Sequence, residues 1–294
     1  MREIIMKPHN GQGKLITFCG LDGCGKSTMI EMLQEKLNTM GVDTSVTKQP
    51  TNAVRKSKIF RNYMDSPNNE KYEYRALSLM AASDRIQHSN QNILPEIIKG
   101  KTVISDRYIY SCLANLRARG YKRDKWIYEI IKDIPRPDLA FFLDVPENVA
   151  IERVRERAEE KNRYIDTEFQ RLLRKEYIEI CKASGGILIQ SDNGVEAAFE
   201  EILSYVQKLY TTNDEVESKV YKILEDIIGA RIEADGSVSL ADISVDSLRM
   251  VMILVEIESK FGIQLNDTDM NPLALKTVDD VISLARKYVS NDNI

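Results

Sequence analysis

The stretch that decides the fold is FCGLDGCGKSTMI, which runs from Phe18 to Ile30. Its segment from Gly20 to Ser27 fits the spacing G-x-x-x-x-G-K-[ST], with the apolar run KLITFC before it and a helical apolar pattern after it. Glycines let backbone N–H groups converge on a phosphate, and the start of the next helix adds partial positive charge. The stretch therefore predicts a strand, a phosphate-binding loop and a helix, with a chance glycine-rich turn as the alternative.

Four side chains in and after this loop have specific chemistry. Lys26 is expected to reach the outer phosphates of a nucleotide, and Ser27 is expected to ligate Mg²⁺. In VISDRYIYS, Asp106 and Arg107 stand at the carboxyl end of a strand pattern, where ligands bind in open α/β sheets. Asp106 could hold Mg²⁺ through water, and Arg107 could clamp a phosphate with two N–H groups. The alternative is a surface Asp–Arg pair that flanks a strand.

Short apolar runs alternate with longer helical patterns between residues 14 and 210. KLITFC, KTVIS, LAFFLDV and GILIQ are typical of strands buried on both faces, and the segments between them are long enough for helices. This order predicts an α/β fold with a parallel sheet flanked by helices.

After KLYTTNDEVES the pattern becomes entirely helical. Thr277 and Asp280 form a capping-box pattern at the start of the last helix. We place the boundary in the polar stretch Thr211 to Glu215, which gives domains 1–212 and 213–294. Apolar residues at helical spacing are Val216, Val220, Ile223, Leu224, Ile227 and Ile228, then Leu248, Val251, Met252 and Val255, then Val278, Val281, Ile282 and Ala285. The tail is therefore predicted to be a small all-α bundle.

Composition narrows the classes of protein that remain. The chain of 294 residues suits about two domains. It has no apolar run of transmembrane length and no secretory signal, so we expect a cytoplasmic protein without a membrane partner. Its four cysteines show no metal-ligand spacing and are expected to be reduced. Residues 214–294 hold 16 acidic and 8 basic residues, a net of −8, whereas residues 1–213 have a net of +4 without a tract typical of nucleic-acid binders.

Residues 14 to about 210 resemble thymidylate kinases. The segments that carry the resemblance are GLDGCGKST, SLMAASDRIQH, DRYIYS, PDLAFFLDVPENVAIERVRER and NRYIDTEF, and they span nearly the whole domain in the family's order. The resemblance implies a P-loop NTPase fold that transfers the γ-phosphoryl group of ATP, with Mg²⁺, to a nucleoside monophosphate. Because relatives of this family dimerise, a homodimer through this domain stays open.

The resemblance also implies roles for individual residues. Asp22 would contact the sugar hydroxyl of the acceptor, and Arg107 would hold the acceptor phosphate near the transferred group. Arg155, Arg157 and Arg163 fall in the lid segment, where the bacterial type of the family keeps a catalytic arginine; a solvated helix face is the alternative for the first two. A catalytic arginine in the lid agrees with the phosphate loop, in which Cys24 stands where the other type of the family has Arg. The implied catalytic set is Lys26, Asp22, Arg107, Arg157 and Arg163, and the implied ATP-binding set is Gly20, Leu21, Asp22, Gly23, Cys24, Gly25, Lys26, Ser27 and Thr28.

The acceptor side departs from the family pattern. Arg85 would reach the base edge, but Ala81 stands four residues before it, where the family has a Phe that stacks on thymine. Lys48-Gln49-Pro50-Thr51-Asn52 replaces Arg-Glu-Pro-Gly-Gly, and Ala114-Asn115-Leu116 replaces Ala-Tyr-Gln. Lys48 or Lys56 could serve a phosphate as a point charge, and Ser111 completes the expected acceptor site. Since pocket contacts set specificity, the acceptor could differ from thymidylate.

Residues 214 to 290 resemble acyl carrier proteins of four helices. Asp246-Ser247-Leu248 precedes a helix like the second helix of that family, whose Ser carries 4′-phosphopantetheine. Ser247 would receive this arm from a phosphopantetheinyl transferase, with Asp246 helping to hold its metal, and acyl- or aminoacyl-loading enzymes would follow. Glu256 and Glu258 would face basic partners. The alternative is that Ser247 merely caps an amphipathic helix.

Three functions follow from these two resemblances. The first is a thymidylate kinase (dTMP and ATP to dTDP and ADP) with a carrier domain attached, which we take as the default. The second is a kinase with a changed acceptor, either a small molecule or a unit held on the Ser247 arm, where tethering raises its effective concentration. The third is a carrier protein whose kinase-like domain binds ATP as a scaffold; intact Lys26, Ser27, Asp106 and Arg107 argue against it.

Overall fold

The structure is a computed structural model that describes residues 2–9, 11–65, 73–158, 165–232, 236–266, 268–270 and 274–289. Two compact units make up the chain, Met1–Tyr205 and Val206–Ile294. No helix among the described residues is both long enough and apolar enough to cross a membrane.

The first unit is built on a five-stranded parallel sheet. The strands are β1 (Leu15–Gly20), β2 (Thr44–Lys48), β3 (Thr102–Asp106), β4 (Leu139–Asp144) and β5 (Ile187–Gln190), in the order β2-β3-β1-β4-β5. β1 is completely buried at the centre because both of its faces are covered. Pairing of Phe18 with Asp106 brings the carboxyl ends of β1 and β3 side by side. All four strands predicted from apolar runs are therefore present, and the α/β fold class is confirmed.

Helices connect the strands and cover this sheet. They are α1 (Lys26–Thr39), α2 (Asn52–Arg55), α3 (Lys58–Asp65), α4 (Tyr74–His88), α5 (Leu94–Ile98), α6 (Ile109–Ala118), α7 (Trp126–Ile131), α8 (Glu147–Arg155) and α9 (Thr167–Ser184), with a π-helical turn at Ser89–Ile93. α1 begins directly after the glycine-rich loop, as the sequence predicted.

The second unit is helical, which agrees with the predicted carrier domain. Its helices are the later part of α10 (Val195–Ile228), then α11 (Ser247–Phe261) and α12 (Val278–Val289). The resemblance to acyl carrier proteins also predicts a short element after Asp267, which falls partly outside the described residues. Thr277 and Asp280 form the predicted capping box, because the Asp280 N–H donates to Thr277 Oγ1 at 3.2 Å and the Thr277 N–H to Asp280 Oδ2 at 2.8 Å.

The polar stretch Thr211 to Glu215, at which we placed the domain boundary, has helical backbone within α10. Polar side chains are compatible with a helix as well as with a linker, so composition alone does not distinguish the two. The exact boundary stays a prediction.

Candidate active site and carrier site

Lys26 is held in place by the glycine-rich loop itself. Its buried ammonium donates to the carbonyl oxygen of Leu21 at 2.6 Å and to that of Gly20 at 3.3 Å. The Sγ atom of Cys24, which is also buried, lies 3.5 Å from the same nitrogen. Lys26 therefore places a positive charge at the base of the loop without a carboxylate partner among the described ion pairs.

The loop approaches α8 so closely that one position requires glycine. Gly23 has a φ of +87°, and a Cβ atom built there would lie 2.2 Å from the carbonyl oxygen of Ala150. Both the backbone conformation and the contact exclude a side chain. This fit supports a loop whose backbone N–H groups, rather than side chains, face a ligand.

Asp106 ends β3 beside this loop. Its Oδ2 atom lies 2.5 Å from Lys48 Nζ, whereas its buried Oδ1 atom has no hydrogen-bond partner among the described residues. Burial raises the pKa of the Asp106 carboxyl, but Arg107, Lys26 and Lys48 outweigh burial and hold the pKa below its ordinary value. Asp106 is therefore an ionised carboxylate with one oxygen available for a hydrated cation.

Arg107 has an unusual backbone conformation. Its φ is +68°, which costs a residue other than glycine about 1–2 kcal/mol. The conformation brings its guanidinium to the loop, where Nη1 donates to the carbonyl oxygen of Gly20 at 3.2 Å and to the Tyr177 hydroxyl at 3.0 Å, and Nη2 donates to Asp22 Oδ1. Strain of this kind persists where surrounding contacts hold the residue, which is common at functional sites.

These residues line one cavity at the carboxyl edge of the sheet, close to the start of α1. The side chain of Arg157, just after α8, also reaches it, whereas Arg155 does not. Arg163 lies outside the described residues. The cavity is lined by Asp22, Gly23, Gly25, Lys26, Ser27, Lys48, Asp106, Arg107 and Arg157. The catalytic set suggested by the sequence is thus brought together, except for Arg163.

Of the residues expected on the acceptor side, Lys48 and Arg107 line this cavity, whereas Arg85, Ala81 and Ser111 do not. Arg85 is buried on α4, where Nη1 donates to the carbonyl oxygen of Ala81 at 2.9 Å and Nε to that of Tyr108 at 3.3 Å. Ala81 and Ser111 are buried as well. Asn115 uses its amide within α6, donating to the carbonyl oxygen of Ser111 at 2.9 Å. Their roles toward an acceptor stay predictions.

Two residues of α9 were not identified from the sequence. Tyr177 supports Arg107, and Arg174 donates to both carboxylate oxygens of Asp144 at 2.7 and 2.9 Å. The helical spacing of Leu173, Tyr177 and Ile180 would have placed Tyr177 on a buried face. No local signal indicates the partner of Arg174, because 30 residues separate it from Asp144.

Ser247 is the first residue of α11 and its side chain is exposed. The helix is capped by Asp246, whose Oδ1 accepts from the Arg249 N–H at 2.8 Å. The alternative in which Ser247 serves as the cap is therefore wrong. Arg249 also donates to the carbonyl oxygen of Ser244 at 2.6 Å, so its side chain fastens the loop before Ser247.

The exposed face of α11 is apolar. Leu248, Val251, Met252 and Val255 are between 47% and 71% exposed, whereas Met250, Ile253, Leu254 and Ile257 enter the core. The first set predicted the helix correctly but lies on its outer face. Glu258 accepts from the Leu265 N–H at 2.7 Å and Glu256 lies 3.4 Å from Lys260, so both acidic residues have partners within the unit.

Comparisons with known proteins agree with both sites. Residues 18–202 match the thymidylate kinase family model, and residues 218–285 match the phosphopantetheine attachment site model. A probable thymidylate kinase of Pyrococcus abyssi is 33% identical over 202 residues, which cover 67% of this chain and 97% of that protein. One from Pyrococcus horikoshii is 31% identical over 199 residues, covering 67% and 97%, and one from Methanococcus maripaludis is 30% identical over 202 residues, covering 66% and 94%. With the phosphate loop, Asp106 and Arg107 assembled at one cavity and Ser247 exposed at the start of α11, the chain belongs to the thymidylate kinase family and is an ATP-dependent kinase with a phosphopantetheine attachment domain at its C-terminal side.

Proposed function

We propose that the first unit transfers the γ-phosphoryl group of ATP to thymidylate, which yields dTDP and ADP. The observation that carries this proposal is the convergence of Lys26, Ser27, Asp106 and Arg107 on one cavity. The transfer breaks the bond between the γ-phosphorus and its bridging oxygen and joins that phosphorus to a phosphate oxygen of the acceptor. Fixed cations around the transferring group stabilise the charge spread over its oxygens.

The carboxylates of the cavity favour a phosphate acceptor over a hydroxyl acceptor. A hydroxyl must lose a proton as it attacks, which calls for a general base. Asp22 pairs with Arg107 and Asp106 pairs with Lys48, so both carboxylates are engaged by cations, and the lowered pKa of Asp106 makes it a weak base. The second pKa of a phosphate monoester is about 6, so such an acceptor is already mostly dianionic at pH 7.

The residues present fit ATP and Mg²⁺. The backbone cradle at Gly23 suits a phosphate, and the buried Asp106 Oδ1 atom, which has no partner among the described residues, suits a hydrated cation. Ser27 and Asp106 would hold Mg²⁺, which supplies positive charge to the outer phosphates. Lys26 and Arg157, which line the same cavity, would contact phosphate oxygens, and Arg107 would orient the acceptor.

The test of this proposal is ADP release by the full-length protein with ATP, Mg²⁺ and thymidylate. We expect turnover, and we expect Lys26→Ala to lower kcat at least about a hundredfold because it removes a fixed charge next to the transferring group. Lys36→Ala, which makes the same change at an exposed lysine further along α1, provides the control for local disturbance. Absence of thymidylate turnover while ATP still binds would overturn thymidylate as the acceptor.

A second candidate is the same phosphoryl transfer to a different acceptor. It is favoured by Ala81 and Asn115, because each is a small residue where relatives of the family carry an aromatic one, and base stacking is worth about 1–3 kcal/mol. Nucleoside monophosphates with other bases, and a phosphorylated unit carried on Ser247, belong in the same assay. A kcat/KM above that of thymidylate identifies the true acceptor.

We also propose that Ser247 carries 4′-phosphopantetheine, added by a phosphopantetheinyl transferase and charged by a loading enzyme. The exposed side chain and the match of residues 218–285 support this. Incubation with a transferase and coenzyme A should add one phosphopantetheinyl group to the intact mass. Ser247→Ala should abolish the gain, whereas Ser259→Ala, an exposed serine on the same helix, should retain it. Modification of Ser247→Ala would place the arm elsewhere.

A further inference from the structure

Arg119, at the end of α6, joins four helices of the first unit. Its Nε atom donates to the Tyr63 hydroxyl at 2.8 Å, and its Nη1 atom donates to Asn115 Oδ1 at 3.3 Å. The centre of its guanidinium lies 4.0 Å from the ring centroid of Tyr74 and 3.8 Å from that of Phe169. One side chain thereby contacts α3, α4 and the start of α9 from its place on α6.

The contacts of Arg119 differ in kind from those that hold the middle of α9. Arg174 makes two charge-assisted hydrogen bonds to Asp144, a geometry that fixes both partners. No carboxylate pairs with Arg119 within the described part of the chain. A cation over an aromatic face is attracted to the ring as a whole, so the rings can slide against the guanidinium while contact is kept. The first turn of α9, at Phe169, is thus held by an adjustable contact.

Two of the helices that meet at Arg119 carry different parts of the proposed site. α4 carries Ala81 and Arg85, on the expected acceptor side, and α9 follows the segment of Arg157 and carries Tyr177, which contacts Arg107. A displacement of α4 moves the Tyr74 ring, and a displacement of α6 moves the Arg119 guanidinium. Either movement changes the contacts that hold the Phe169 ring.

We propose that Arg119 is a positioning residue that couples the acceptor-side helices α4 and α6 to the start of α9. The role of this coupling in catalysis rests on the proposed kinase function. The contacts that produce the coupling are already formed in the protein without a ligand. The coupling gives Arg119 an effect on acceptor binding that exceeds its effect on ATP binding, because its contacts are with α3, α4 and α9 rather than with the phosphate loop.

The first test is amide hydrogen exchange of the full-length protein without nucleotide, for Arg119→Met and Arg119→Lys. Because one guanidinium contacts both Tyr74 and Phe169, Arg119→Met should speed exchange in 74–80 and in 167–172 together, by about tenfold or more, while 174–184 keeps its protection. Arg119→Lys retains a cation and should restore part of the protection. Arg171→Met is the matched control, since Arg171 lies in the same region of α9 but pairs with Glu168 at the surface. Faster exchange confined to α6, or spread evenly over the unit, would overturn the coupling.

The second test separates this inference from the proposed function. With whichever nucleoside monophosphate the wild-type protein turns over best, Arg119→Met should raise KM for the acceptor about tenfold and change KM for ATP less than about twofold. Tyr63→Phe, which removes only the hydroxyl that accepts from Arg119, should produce a smaller change of the same kind. If thymidylate is not turned over but the exchange pattern appears, the proposed acceptor is wrong and the coupling stands. Equal increases in both KM values contradict the coupling.

Discussion

Gly23 shows how one residue limits the whole phosphate loop. Two separate features exclude a side chain at Gly23. Its φ is positive, and a Cβ atom placed on it would lie only 2.2 Å from the carbonyl oxygen of Ala150. Residues other than glycine tolerate a positive φ poorly. The atom that a Cβ would meet belongs to the backbone, so no flexible side chain can move out of the way. The loop and α8 must therefore move apart if any side chain is placed at this position.

The replacement Gly23→Ala should lower the free energy of unfolding of the first unit by about 2–4 kcal/mol, since clash adds to backbone strain. Gly41→Ala is the matched control, because Gly41 has a φ of +80° with no atom within 4 Å of a built Cβ, and it should cost only about 1 kcal/mol. Urea denaturation of both variants measures the difference. Equal losses would show that the approach of Ala150 is not a constraint.

Among the elements, α9 depends on one buried carboxylate. Glu176 is 3% exposed, and its oxygens lie 2.6 Å from Arg117 Nε and 2.5 Å from Lys122 Nζ. These contacts fasten the middle of α9 to the end of α6 and the loop after it. Removing one partner of a buried ion pair leaves the other charge without compensation in a poorly solvated place.

We expect Glu176→Gln to lower the free energy of unfolding by about 2–3 kcal/mol, less than for a fully buried pair because Lys122 remains half exposed. Glu168→Gln makes the same chemical change on the same helix at an exposed pair with Arg171 and should have little effect. Trp126 is the chain's single tryptophan and lies in the first unit, so its fluorescence follows the unfolding of that unit in urea. A similar loss in both variants would contradict the assigned importance of burial.

At the scale of the whole molecule, the response to mild acid can be traced to few groups. The chain has only two histidines, His9 and His88. His88 is the last residue of α4, and its ring contacts the end of β2, with Thr47 Oγ1 at 2.9 Å from Nε2 and Gln49 Nε2 at 3.1 Å from Nδ1. Burial lowers the pKa of His88, and Asp84 opposes this only in part.

The stability of the protein should therefore fall as the pH is lowered from about 7 through the folded-state pKa of His88. The unfolded chain takes up the proton near pH 6.5 and the folded chain only at lower pH, so stability is fully present above about 6.5. His88→Gln should flatten this part of the pH profile of the free energy of unfolding. An unchanged slope in His88→Gln would rule out His88 as the cause.

Much of this molecule could be predicted from sequence because its strongest signals are local. The phosphate loop depends on glycine and lysine spacing, and the central strands are continuous apolar runs. β2 lacks such a run because it is an edge strand with polar, partly exposed residues. On α11, two apolar sets share one helical period, and only tertiary packing decides that Met250 faces the core while Val251 does not.

The contacts that sequence could not predict are those between distant segments. Tyr177 meets Arg107 across 70 residues, and Arg119 meets Phe169 across two helices. A guanidinium can donate hydrogen bonds to many groups and can stack on aromatic rings, so the residue type alone does not identify its partner. Ala81 illustrates the opposite case, in which a departure was visible in the sequence but its effect on the acceptor depends on how α4 and α6 pack.

The left-handed backbone of Arg107 implies a conflict between two kinds of selection. A library that randomises this position and is screened only for heat resistance should enrich Gly or Asn, because either relieves the strained φ of +68°. A screen for turnover should instead retain Arg, because only its fork reaches Gly20 and Asp22 at once. Natural variants of the chain that have drifted to Gly or Asn at 107 should accordingly be recognisable as proteins that no longer depend on the kinase reaction.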